Sequence, residues 1–190
     1  NVVLMRGNHE GPDDLLAYPH DLLDHLSRKF GENGLKVYGK IRELFNHLYN
    51  AVLVEGKLVI LHGGAPSQAA TTDDLAFAHK KHPRETHLEE ILWSDPIERA
   101  RGTYPSPRGA GKLFGEDITD DLLRILNTQV LIRGHEPNEK GFKVNHSGKV
   151  LTLFSRKGPP YFNNHGAYLH LDLSQKIGNA THLLRYIHNF

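Results

Sequence analysis

Cysteine is absent from the 190 residues. That excludes disulfides, iron–sulfur clusters, thiolate-bound zinc and a cysteine nucleophile. An excess of charge of either sign is absent too: 23 Lys and Arg face 22 Asp and Glu, a net charge of +1. Such a balance argues against a surface dedicated to nucleic acid or to an acidic membrane. No apolar run reaches the ~18–20 residues that a membrane helix needs. Charged residues at 24% and hydrophobic residues at 38% place the chain among folded proteins and not disordered ones. The length suits a single domain, residues 1–190, with a sizeable core. An initiator Met, a polar leader and an N-terminal cap are also lacking. The chain opens on Asn1-Val2-Val3-Leu4-Met5, which reads as a strand already under way, so the expectation is a piece of a longer protein. A missing signal peptide then says little, and cytoplasm is only the default compartment.

What the chain does have is histidine, 14 residues of it. With no thiolates, metal ligands are limited to His, Asp, Glu and Asn. The dominant pattern is a short apolar run ending in a polar, Gly-containing corner. Residues 2–5 run into Arg6-Gly7-Asn8-His9-Glu10. Residues 51–54 and 57–61, joined by Glu55-Gly56, read as a hairpin, and the second run ends in His62-Gly63-Gly64. Residues 129–132 lead into Arg133-Gly134-His135-Glu136-Pro137. Residues 142–145 and 149–154, separated by Ser147-Gly148, form a second hairpin candidate, and 167–173 and 180–187 read as further strands. Helical spacing predicts helices over 13–30, broken or restarted at Pro19, over 35–49, over 86–93 and over 119–127, the last with Thr119 as N-cap. The Gly- and Pro-rich stretch 99–115 reads as a long loop, a usual place for function. The sum is an α+β or layered α/β/α domain with a mixed sheet.

Three corners share one form: strand, small residue, His. Ligands on open sheets sit beyond the carboxyl ends of strands. Gly7, Gly63 and Gly134 let the backbone turn so that an imidazole enters a shared site. Mn²⁺, Fe²⁺ and Zn²⁺ all accept imidazole nitrogen and amide oxygen, so Asn8, His62 and His135 are candidates for one metal site, with His9 beside it and free to donate a proton. A lone His at a strand end is ordinarily a hydrogen-bonded core or surface residue; the common form of the three corners is what raises these above that reading.

In chain order, Arg6-Gly7-Asn8-His9-Glu10, Leu61-His62-Gly63-Gly64, Leu92-Trp93-Ser94-Asp95-Pro96, Arg108-Gly109, Arg133-Gly134-His135-Glu136 and Leu151-Thr152-Leu153-Phe154-Ser155 resemble the signatures of the phosphoprotein phosphatase family. These are dimetal serine/threonine phosphatases among the calcineurin-like metallophosphoesterases. The resemblance runs from residue 2 to about Asp172. It implies a metallophosphoesterase β-sandwich of mixed sheets flanked by helices, an α/β (α+β) fold present here as the C-terminal part of the catalytic domain. It implies Asn8, His62 and His135 as ligands of one of two divalent ions, Mn²⁺ first, with iron or zinc as alternatives. It implies His9 as the general acid, Arg108 as the grip on the substrate phosphate and Asp95 as an acidic support at the cleft edge. Arg6 and Arg133 are expected to brace the corners, with direct phosphate contact as the alternative. The implied reaction is hydrolysis of phosphoserine or phosphothreonine in proteins by a hydroxide bridging two metals, the phosphoprotein being the partner and no nucleic acid or membrane being involved.

Two departures stand out. The family's Gly-Asp-x-His-Gly and Gly-Asp-x-x-Asp-Arg-Gly motifs, which supply the remaining metal carboxylates, are absent. After Leu151–Ser155 the family's tyrosine-bearing segment is replaced by Arg156-Lys157-Gly158-Pro159-Pro160, and nearby Tyr161 does not align with that tyrosine. Two rival readings follow: a dinucleoside polyphosphate hydrolase of the same fold, and a non-catalytic binding module that keeps the fold without the first metal site. The signatures at Trp93–Pro96 and 151–155 favour the protein phosphatase.

Overall fold

A computed structural model describes residues 2–190. In chain order its elements are α1 (Leu22–Phe30), α2 (Gly34–Phe45), β1 (Ala51–Val54), β2 (Leu58–Leu61), α3 (Thr72–Ala76), α4 (Ala78–Lys81), α5 (His87–Trp93), β3 (Asp95–Pro96), β4 (Thr103–Pro105), β5 (Lys112–Phe114), α6 (Glu116–Ile125), β6 (Val130–Arg133), β7 (Phe142–Asn145), β8 (Val150–Leu153), β9 (Ala167–Leu169), α7 (Ala180–Leu183) and β10 (Ile187–Asn189). The fold is the expected mixed α/β arrangement. Its main sheet has five strands in the order β1-β2-β6-β8-β7. The inner three are parallel and both edges antiparallel.

Strand periodicity explains the two cores. Val59, Leu61, Leu131 and Val150 face one way and pack on Leu88, Ile91 and Leu92 of α5 and Leu122 of α6. Leu58, Val130, Ile132 and Leu151 face the other way and pack on Ile177, Ala180 and Leu183. Side chains alternate along a strand, so one run of apolar residues serves both layers. A central parallel strand buried on both faces has no polar alternation, and all four residues of β6 are buried.

Parallel register builds the site. Ile60 pairs with Ile132, so β2 and β6 end side by side and deliver His62 and His135 to one edge. Met5 forms an isolated parallel bridge with Tyr49, just before β1. Arg6 N–H donates to the Tyr49 carbonyl at 2.8 Å. Tyr49 N–H in turn donates to the Leu4 carbonyl at 3.1 Å, and this bridge carries Asn8 to the same edge.

Several expected elements differ. Of residues 2–5 only Met5 is bridged, and Val2, Val3 and Leu4 are exposed. The 13–30 helix reduces to one 3-10 turn at Asp13–Leu15 and then α1, because Pro19 interrupts it. The helix expected to reach Tyr49 ends at Phe45. Thr119 is not a cap. The helix begins at Glu116 after Gly115, and the buried Thr119 hydroxyl lies 2.8 Å from His146 Nδ1. The stretch 99–115 is not a plain loop but forms β4 and β5, which join β3 in a small sheet. Residues 180–187 are α7, a 3-10 turn over Leu184–Tyr186 and the first residue of β10, with Asn179 capping α7 by accepting from His182 N–H. Asn is a preferred cap, and that local signal outweighed the apolar strand-like composition. Thr72–Ala76 was not anticipated, although Thr71 and Asp74 form a capping box.

Glu90 ties helix, loop and small sheet together. It is 1% exposed and accepts from Ser67 N–H (2.7 Å), the Thr86 hydroxyl (2.7 Å) and Lys112 Nζ (2.9 Å). Removing one partner of a buried pair costs about 3–5 kcal/mol; Lys112 still reaches water, which lowers that to about 2–4 kcal/mol. Glu90→Ala should therefore shift the urea midpoint downward at unchanged m-value, and a loss below about 1 kcal/mol would show that Glu90 is not the brace.

Candidate metal and phosphate site

Asn8, His62 and His135 converge as expected. Asn8 Oδ1 lies 2.9 Å from His62 Nε2, and His135 Nδ1 lies 3.2 Å from the same nitrogen. Donors on adjacent vertices around an ion at about 2.1 Å sit about 3.0–3.4 Å apart. Both separations from His62 Nε2 are close to those between neighbouring ligands of one ion. The chemistry of the donors fits as well, because an imidazole must be neutral to coordinate. Burial, followed by the Arg133 cation, lowers the His62 pKa to about 4. The same two causes lower His135 to about 2. Both rings are neutral at pH 7 without any metal. His9 follows Asn8 directly in the chain, and its side chain is exposed.

The backbone is shaped for this convergence. His135 adopts φ +67, a left-handed conformation that costs a non-Gly residue about 1–3 kcal/mol and concentrates at functional sites. Gly63 N–H donates to the Ile91 carbonyl at 2.6 Å. A Cβ there would lie 2.6 Å from the Leu92 carbonyl carbon, so only glycine lets the His62 corner press against the end of α5. One expectation about the imidazoles is not met: a ligating His ordinarily donates its second N–H to a carbonyl or carboxylate, whereas His135 Nε2 is buried with no partner. The ring stands edge-on to Trp93, centroids 5.8 Å apart.

Arg133 is the hub. It is 1% exposed and donates from Nε to the Gly63 carbonyl (2.6 Å), from one terminal nitrogen to Glu136 (2.6 Å), and from the other to the Ser94 carbonyl (3.2 Å) and Asp95 (2.8 Å). Three corners are thus fastened to one planar fork. The bracing role expected of Arg133 is what its geometry supplies, and its burial removes the phosphate-contact reading. Arg6 is equally buried, but it anchors the Phe45 carbonyl at the end of α2 (2.6 Å), not the histidine corners.

Asp95 joins that hub to Arg108. One carboxylate oxygen faces Arg133 and the other accepts from Arg108 Nε at 2.6 Å. Among the described residues, Arg108 is held by a side-chain hydrogen bond at Nε only, which leaves its two terminal nitrogens without a partner. Asp95 thus bridges the two guanidinium groups. Two contributors were not singled out from sequence: Glu136 as the second counter-charge to Arg133, and Trp93 as the wall against His135. Their signal was their place inside the quoted motifs. His146, another buried histidine, has both nitrogens engaged, at Thr119 Oγ1 and the Ile97 carbonyl, and is structural.

Among the described residues, the Asp74, Glu85 and His87 side chains also cluster. Lys81 already sits there, 2.5 Å from Asp74 and 3.4 Å from Glu85, so this is a lysine-centred ion network remote in sequence from the three corners. None of the three corner ligands is a carboxylate.

Comparison with known proteins fits this geometry. The family described as calcineurin-like phosphoesterase matches residues 1–139. A probable serine/threonine-protein phosphatase of Encephalitozoon cuniculi is 34% identical over 187 residues, covering 96% of this chain and 39% of that protein. Serine/threonine-protein phosphatase 5 of Arabidopsis thaliana is 32% identical over 180 residues, covering 90% and 32%. A solved protein serine/threonine phosphatase of Saccharomyces cerevisiae superposes with TM-score 0.70 at 31% identity, covering 87% of this chain and 51% of that one. The chain thus spans 39% and 32% of these two curated relatives' length.

Proposed function

Since the chain belongs to the calcineurin-like phosphoesterase family, we propose that it forms part of the catalytic centre of a protein serine/threonine phosphatase. In this reading it holds one of two metals, protonates the leaving group and grips the phosphate. The observation that carries this is that Asn8 Oδ1 and His135 Nδ1 both meet His62 Nε2, at 2.9 and 3.2 Å, beside Arg108, whose terminal nitrogens have no hydrogen-bond partner among the described residues.

When bound, divalent ions supply Lewis-acid chemistry, polarising phosphoryl oxygens and lowering the pKa of water from ~15.7 toward neutrality. Asn8, His62 and His135 would hold one of them; manganese is the first ion to try. Everything else falls to the chain's own side chains. Arg108 meets charge on the non-bridging phosphate oxygens with a planar pair of N–H groups. Asp95 and Arg133 hold that guanidinium in place, so little ordering remains when substrate arrives. His9 stands beside the metal corner and gives a proton to the departing serine or threonine oxygen.

The reading is tested with phosphoserine peptide, an aryl phosphate and a dinucleoside tetraphosphate, using protein that includes the two aspartate motifs. Hydrolysis of the peptide supports it. Hydrolysis of the dinucleotide alone would assign the rival activity, and metal binding without hydrolysis would assign a binding module. Arg108→Ala should lower kcat/KM for the peptide about 100-fold, and Arg108→Lys should fail to restore most of it, because a point charge cannot replace the fork. Unchanged kinetics in Arg108→Ala would leave it a solvated loop residue.

A further inference from the structure

Arg108 lies in a turn that carries a serine which the proposed chemistry does not use. The segment reads Tyr104-Pro105-Ser106-Pro107-Arg108-Gly109. Its strand, β4, lies at the edge of the small sheet. Pro105 and Pro107 are exposed and Ser106 is half-buried. Proline on either side of Ser106 favours an extended approach to the turn. The chain then folds back, with Gly109 at φ +81 and Gly109 N–H donating to the Ser106 carbonyl at 3.3 Å. The Ser106 hydroxyl accepts from Arg108 N–H at 3.2 Å, so the serine oxygen is turned toward Arg108. Asp95 holds that arginine at Nε, and its terminal nitrogens have no hydrogen-bond partner among the described residues.

We propose that Ser106 is a phosphorylation site for a proline-directed protein kinase, and that its phosphate occupies Arg108 in place of the substrate's phosphate. The inference rests on the phosphatase reading above and adds a control to it. A serine followed by proline on an accessible edge segment has the form that such a kinase accepts. In the modification the Ser106 hydroxyl oxygen bonds the terminal phosphorus of a nucleoside triphosphate. The bond from that phosphorus to the diphosphate oxygen breaks, the nucleoside diphosphate leaves, and the hydroxyl proton passes to a base of the kinase. The product carries about −1.5 to −2 charge at pH 7 and three acceptor oxygens. A planar guanidinium with two unengaged terminal nitrogens is a matching partner for those oxygens. Tethered two residues away, the phosphate meets Arg108 at a high effective concentration. It also repels an incoming phosphomonoester dianion.

The test treats native protein that includes the aspartate motifs with a proline-directed kinase and the γ-thio analogue of ATP, because a thiophosphate resists removal by the enzyme itself. Mass spectrometry should place the label on Ser106, and Ser106→Ala should lose it. Labelling should lower kcat/KM for a phosphoserine peptide about tenfold, and the drop should shrink in Arg108→Ala. On chelated, metal-free protein the ³¹P titration midpoint of the Ser106 group should lie lower with Arg108 than in Arg108→Ala, because a neighbouring cation favours the dianion. No label on native Ser106, equal midpoints in the two backgrounds, or a drop in kcat/KM undiminished in Arg108→Ala overturns the switch. Unlabelled protein is assayed in parallel on the peptide and on an aryl phosphate. If it hydrolyses neither while the midpoint difference holds, the phosphatase reading falls and the pairing of phosphorylated Ser106 with Arg108 stands.

Discussion

Replacing His9 with asparagine is expected to lower kcat by about 10²–10⁴ on a phosphoserine peptide while metal content stays constant, measured in protein that includes the family's two aspartate motifs. The physical reason is the leaving group. A serine alkoxide is a strong base and departs poorly unless it is protonated as the phosphorus–oxygen bond breaks. His9 follows Asn8 directly, so the backbone that delivers a metal ligand also delivers a proton donor. Its exposed side chain is reachable by substrate. A dependence on leaving group follows. An aryl phosphate, whose phenolate leaves without help, should lose much less activity than the peptide. Loss of metal in the variant, or equal losses on both substrates, would move His9 from proton donor to ligand or to scaffold.

Residues 1–190 alone are expected to show no phosphatase turnover above background with added manganese. One ion held by two imidazoles and an amide oxygen has no protein anion to balance its charge, so it binds weakly. The family's second ion and the carboxylate shared between the two have no ligands here. The described residues offer one other His and carboxylate cluster, and Lys81 already neutralises it. Supplying a segment that carries the two missing aspartate motifs should restore both metal occupancy, read by elemental analysis, and turnover. Val2, Val3 and Leu4 are exposed apolar residues, and so is Leu53 on the outermost strand β1; an exposed edge strand invites pairing with a further strand. Robust turnover by residues 1–190, abolished by His135→Ala, would mean that residues within them replace the missing half-site.

The sequence by itself determined the parts of the site. Short β-rich runs ending in a glycine and a histidine were legible because strand termini, glycine corners and imidazole chemistry are local properties. The two hairpins, with Gly56 and Gly148 at positive φ, were legible for the same reason. So was the break at Pro19, since a missing N–H acts on its own turn. The sequence also supplied the ordered motifs that identify the family.

Other features were decided by partners far along the chain. Residues 103–105 and 112–114 carry no strand periodicity. They become strands because Asp95 and Pro96 lie alongside and pair with β5. Thr119 had the composition of a cap, but His146, distant in sequence, engages its hydroxyl inside the helix. Residues 2–5 look like a strand, yet their backbone pairing is one isolated bridge, Met5 with Tyr49, in which the Leu4 carbonyl accepts from Tyr49 N–H at 3.1 Å. Above all, three separate corners become one site only because β2 and β6 run parallel and in register, and because the Met5–Tyr49 bridge carries Asn8 to their ends. The fork of Arg133 then fixes the distance between them, joining Gly63, Ser94, Asp95 and Glu136. A residue type can be read one position at a time, but ligation and phosphate capture depend on separations of about 3 Å between atoms dozens of residues apart. Only packing and sheet register set those separations.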